Sequence, residues 1–199
     1  MSSPIANPAP IVNTINGLSK ESLSIDNGIA TAKRDAAAFA ENYGNHFQMV
    51  AELKDSTAQF SDRWVKVLLD SRDAASAIAV WYRRFSQVFL GMVSDIQTEG
   101  DRDDVVTEFK GFLEEGYPSA QFRLDSIAGL KQEFNNIEAL VPQEIQKTMQ
   151  VLQSATGPEW KQVIEKLQQD LVPVKAGSEQ IERAFTGYAS NLSRVYEKN

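Results

Sequence analysis

Apolar residues along this chain recur at steps of three and four, the spacing that lines one face of an α-helix. The pattern begins near Ser19 and runs through Ile25, Ile29, Ala32, Ala36, Phe39, Tyr43, Phe47 and Val50. It is strongest between Asn45 and Glu99, where there is no proline and the one glycine is Gly91. There the stripe reads Phe47, Val50, Lys54, Thr57, Phe60, Trp64, Val67, Ser71, Ala74, Ile78, Trp81, Phe85, Val88, Met92 and Ile96. This is close to a heptad repeat. Uninterrupted, such a helix spans roughly 80 Å at 1.5 Å per residue. Lys54, Thr57 and Ser71 are polar entries in the stripe, and a break near Asp55–Thr57 or Ser61–Asp62 would divide it in two. Between Ala74 and Val93 the helix is apolar almost all round, as expected of an element central in a bundle. Its N-terminal half should have fewer neighbours.

The rest of the chain is punctuated more heavily. Gly44 is either the end of a first helix or a glycine inside a longer one. Gly100 is expected to close the long helix, with Asp101 or Asp103 capping the next. Gly116-Tyr117-Pro118 ends that element, and Ser119 is expected to cap a helix carrying Phe122, Ile127, Leu130, Phe134, Ile137 and Val141. Pro142 either opens a new helix in its first turn or kinks a continuing one. Pro158 opens a further helix. Pro173 and Gly177 break the pattern again, and Ser178 is expected to cap the last helix. No segment alternates like a strand, and no repeat of 20 to 50 residues emerges. The fold class expected is therefore all-α: an elongated antiparallel helical bundle with one or more unusually long helices. Three prolines fall within residues 1–18, which read as an extended N-terminal arm. Residues 19–199 read as a single helical-bundle domain.

The 199 residues carry a net charge of −7 and contain no cysteine. The acidic balance speaks against nucleic acid as a partner, and the absence of cysteine removes disulfides, thiolate catalysis and cysteine metal sites. The first residues have neither a basic segment nor an apolar run of the secretory kind, so a cytoplasmic protein, or one exported without a standard signal peptide, is expected.

No catalytic, cofactor-binding or metal-binding residue is assigned. His46 is the one histidine, and position 43 carries tyrosine where a di-iron bundle needs an acid. Asp101–Glu108 lacks the glycine and the glutamate that a calcium loop requires, and first-turn acids complement the helix dipole without a metal. Gly111–Gly116 has the glycine spacing of a phosphate loop, but Tyr117 and Pro118 stand where lysine and a hydroxyl belong. The local constellation that stands out is Trp81-Tyr82-Arg83-Arg84, because aromatics beside arginines suit a partner or a lipid interface. Its plainer alternative puts Trp81 in the core stripe and the arginines in water.

The expected function is non-enzymatic: a helical interaction or scaffolding protein that binds a protein partner, or its own copies, through an extended helical surface. No small-molecule substrate and no cofactor are expected. In architecture the chain also resembles the long-helix bundle toxins of the cytolysin A type. The resemblance rests on helix length and implies a membrane-active, pore-forming alternative. The segment that would insert is Ala74–Val93, which carries Arg83 and Arg84 at a cost in hydrocarbon.

Overall fold

The computed structural model describes residues 3–125, 127 and 129–196, and among these the regular elements are all helical. The principal helices are α1 (Ala9–Tyr43), α2 (Gln48–Arg84), α3 (Leu90–Ser94), α4 (Glu99–Leu113), α5 (Leu130–Glu138), α6 (Leu140–Ser154) and α7 (Trp160–Tyr196). A short tight turn joins α1 to α2, so the two run antiparallel. There the Tyr43 carbonyl accepts from the backbone N–H groups of both His46 and Phe47. Helix α7 lies antiparallel to α2, with Arg83–Glu182 and Ser71–Tyr188 as successive rungs.

The long helix of the apolar stripe is one element and not two. It runs 47 residues from Gln48 to Ser94, through a single π-helical turn at Phe85–Phe89. In that turn the N–H of Leu90 reaches back to the carbonyl of Phe85. The longer loop admits one extra residue and rotates everything beyond it. A strict 3-4 continuation puts Val88 and Met92 in the core. The structure instead buries Phe89, Leu90 and Val93 and leaves Val88 half exposed.

Four expectations about boundaries need correction. The segment 1–18 is not an extended arm: α1 is helical from Ala9. Pro10 falls in its first turn, where the missing N–H would have had no partner anyway. Ahead of it, Ser3 caps a 3-10 turn, Pro4–Ala6, whose Ile5 is fully buried. Gly100 does not close α2 to α3, which stops at Asp95. It lies in the first turn of α4, which Thr98 caps. The Thr98 hydroxyl accepts from the Asp101 N–H at 3.1 Å, and Asp101 accepts from the Thr98 N–H at 2.8 Å, a reciprocal capping box. Ser119 caps no helix. It sits in a 3-10 turn, Pro118–Gln121, and α5 begins only at Leu130, after Gly129 in the left-handed conformation. Finally, α7 passes unbroken through Pro173 and Gly177, with Ser178 buried in its middle.

An internal proline costs a helix roughly 3 kcal/mol. In α7 that is opposed by Ile164, Leu167, Leu171, Val174, Ile181, Phe185 and Leu192, all buried on one face. Each buried side chain of this size contributes about 1.5–3 kcal/mol. Gly177 is where the N-terminal turn docks. A Cβ built on it would lie 1.7 Å from the carbonyl oxygen of Ile5, so only glycine allows the two backbones this close. Pro142 falls in the first turn of α6, which follows α5 through a single residue, Ala139, itself in the right-handed helical conformation.

The core is aromatic where α2, α4, α5 and α7 meet. Trp81 stacks on Phe112 at 4.2 Å between ring centres, Phe89 meets Phe112 edge-on, and Phe134 meets both Phe185 and Tyr188 edge-on. Offset and edge-on pairs of this kind add about 0.5–1.5 kcal/mol beyond the area they bury.

Candidate functional site

The Trp81-Tyr82-Arg83-Arg84 constellation is divided between core and surface. Trp81 is buried on Phe112. Tyr82 is wholly buried, and its hydroxyl donates to the Ile137 carbonyl at 2.6 Å. Burial, and next the nearby carboxylate of Glu138, push the Tyr82 hydroxyl far up from its ordinary value. Arg83 is ion-paired with Glu182 at 2.7 Å. Arg84 makes a two-pronged contact with Glu115 at 2.7 and 2.8 Å and lies over the rings of Phe89 and Phe112. The two aromatics therefore offer no free face here, and the two arginines are engaged within the chain.

His46 lies exposed in the α1–α2 turn. Of the acidic run, Asp101 works as a cap, and its carboxyl is held below the usual range by hydrogen bonds from the backbone of Gln97 and Thr98. Arg102 pairs with Asp103 and donates to the Ala155 carbonyl. Among the described residues, no three carboxylate or imidazole groups are arranged to hold a metal ion. Among the same residues, no helix is long and apolar enough to cross a membrane.

The stretch expected to have fewer neighbours, the first half of the long helix, lies with its partner from α1 in the far half of the α1–α2 hairpin. Near the base, α1 buries Ile15, Ser19 and Ser22, and α2 buries Trp64, Leu68 and Ser71. There Tyr188 of α7 closes a polar layer, its hydroxyl 3.4 Å from Ser22 Oγ and 3.1 Å from Ser71 Oγ. Asp26 stands at the edge of this region, its carboxyl raised by partial burial and eased back by the Trp64 indole. Between Ser22 and Trp64, however, the one buried side chain is Ala36. Among the described residues, no third helix buries this stretch.

It is nonetheless rich in large apolar groups. Ile25, Phe39, Tyr43, Phe47, Met49, Leu53 and Phe60 are all exposed, with Phe47 at 62%, Met49 at 79% and Phe60 at 52%. Their spacing places most of them along one flank. Ile25, Ala32, Phe39 and Tyr43 fall at steps of seven and four on α1, and Met49, Leu53 and Phe60 do the same on α2. Phe39 and Tyr43 pack on each other, 4.9 Å between ring centres. Toward the base the flank opens into a groove of about 490 Å³ walled by Ile25, Ile29, Ala32, Phe60 and Arg63. On the opposite flank a Lys33–Asp62 pair at 3.7 Å bridges the helices. The 3-4 pattern placed Phe39, Tyr43, Phe47 and Phe60 on the same apolar stripe as the core residues Trp64 and Phe85, although with fewer neighbours. The sequence signal for this exposure is the polar residues Lys54 and Thr57 within the stripe.

No protein-family model matches the chain, and no curated protein matches its sequence.

Proposed function

We propose that this chain is a non-enzymatic interaction protein that engages a protein partner through the far half of its α1–α2 hairpin. One observation carries this reading: a long two-helix projection that buries almost nothing of its own yet exposes Phe39, Tyr43, Phe47, Met49, Leu53 and Phe60. Contiguous exposed apolar surface on a folded protein marks contact sites, and aromatic and methionine side chains are enriched at them. A flank lined by two helices suits a partner that lays an amphipathic segment along it. A second copy of the chain is one such partner.

The test is a triple substitution, Phe39→Ser, Phe47→Ser and Phe60→Ser. All three side chains are largely exposed, so thermal stability should move little. Sedimentation equilibrium on wild type and variant reads self-association, and affinity capture from the source cell's extract reads other partners. The reading predicts an assembly or a captured protein that the wild type forms and the variant loses. A wild type that is strictly monomeric and captures nothing would count heavily against it.

A membrane-active reading has one observation in its favour. Phe39, Tyr43, Phe47 and Met49 cluster at the hairpin's end, the arrangement of a tip that meets the lipid interface. Dye release from liposomes separates the two readings. Leakage that the triple variant abolishes supports the membrane, and an inert protein across neutral and anionic lipids ends that alternative.

A further inference from the structure

Glu138, the last residue of α5, has no exposed surface. A carboxylate so placed is costly to ionise unless its oxygens are matched by donors. Both are matched by one residue. The Ser119 backbone N–H donates to Oε1 at 2.8 Å, and the Ser119 hydroxyl donates to Oε2 at 2.6 Å. Ser119 belongs to the Pro118–Gln121 turn, which packs on α2. The same hydroxyl lies 3.5 Å from Asn135 Oδ1, one turn back along α5. Tyr82 of α2 is the titratable group that faces Glu138, and Ser119 and Asn135 are neutral.

This geometry has two closed forms. With Glu138 ionised, the Ser119 hydroxyl donates to it. With Glu138 protonated, the carboxyl O–H donates to Ser119 Oγ, and the serine proton turns to Asn135 Oδ1. The backbone bond to Oε1 persists in both. They differ in electrostatics: the ionised form holds a charge away from water beside the buried Tyr82 hydroxyl, and the protonated form does not. We propose that the Ser119–Glu138 pair is a proton-tightened clasp, holding the Pro118–Gln121 turn against α2 more firmly when Glu138 is protonated and loosening it as Glu138 ionises.

Burial raises the Glu138 carboxyl from its ordinary 4.5, and the Ser119 hydrogen bonds only partly offset this. When the turn lifts, Glu138 meets water and its carboxyl returns toward that value. Opening therefore releases a proton in the window between the ordinary and the raised value, and is favoured as pH rises through it. The device is independent of the hairpin.

The experiment is amide hydrogen exchange from about pH 4 to about pH 8, corrected for intrinsic rates. The reporters are the N–H of Ser119 and those of Ala120 and Phe122, which bond to Tyr117 and Ser119 carbonyls. Their protection should fall by up to about tenfold per pH unit above the ordinary carboxyl value and then level off. Amides of α7 such as Phe185 and Tyr188 should not share the slope. Glu138→Gln supplies an acceptor and a donor of the same shape, keeps the turn closed, and should flatten the reporters' profile. Ser119→Ala, which removes a donor to the ionised form, should lower the protection of Ala120 and Phe122 most at neutral pH. A flat wild-type profile would overturn the proposal. So would an equal slope in Glu138→Gln, or a slope shared by α7.

Discussion

Gly177 shows how one position is fixed by a contact far away in sequence. Within α7 it looks like a weak point, since glycine disfavours a helix by about 1 kcal/mol relative to alanine. Against the N-terminal turn it is required, because the Ile5 carbonyl occupies the space a Cβ would take. Gly177→Ala should therefore lower stability by about 1–3 kcal/mol in urea unfolding, the usual cost of overpacking, despite the better helix propensity. A stabilised variant would mean that the Ile5 turn does not sit where the structure has it. Two carboxylates make opposite predictions at this scale. Asp101 is held below its ordinary value, so its contribution is complete above pH 3.8 and is lost as pH falls through the depressed value. Glu138 is raised, so its effect on the folded state is most favourable below 4.5 and declines as pH rises toward the raised value. The urea midpoint of Glu138→Gln should therefore gain on that of wild type as pH rises through the window. Asp101→Asn should lose the acid-side step.

Among the elements, the helix from Gln48 to Ser94 changes character along its length. Its later part carries Phe85, fully buried, and its beginning is flanked by the exposed Phe47. Phe85→Asp should leave no cooperative melting transition, since truncating a core phenylalanine already costs about 3–5 kcal/mol before any charge is buried. Phe47→Asp should shift stability by no more than about 0.5 kcal/mol. Hydrogen exchange should follow the same gradient, fast for residues 30–58 and slow for residues 68–93, because opening the far hairpin exposes little that is buried. The helical period was legible from spacing as far as Phe85. The π turn that follows was not, because no proline or glycine marks it. Only packing of Phe89 and Leu90 against α4 and α7 decides which residues face inward. The breaks predicted at Pro173 and Gly177 failed for a related reason. Local signals register the cost of a proline, while the buried face that outweighs it is a property of the whole helix.

For the molecule as a whole, the fold class was legible, and the candidate surface only in outline, as a first half of the long helix with fewer neighbours than its second. A 3-4 stripe states which side of a helix is apolar, but it does not state whether a neighbour is there to cover it. Phe39, Tyr43 and Phe60 fit the stripe as well as Trp64 and Phe85 do, yet only the second group is buried. Trp81 and Tyr82, singled out as a contact, belong to the covered part, and Arg83 and Arg84 bond to Glu182 and Glu115 beside it. The distinction separates function from stability. Substitutions along the exposed flank should alter association and leave melting intact, while those at the α2–α7 contact should do the reverse.

The most direct test of this division is the Phe39→Ser, Phe47→Ser, Phe60→Ser protein, measured for association by sedimentation and capture beside its melting temperature. The account predicts a melting temperature within a few degrees of wild type and loss of whatever assembly or partner the wild type holds. Unchanged association in a fully folded variant would contradict it, and so would a collapse in melting temperature, which would make these side chains part of the core after all.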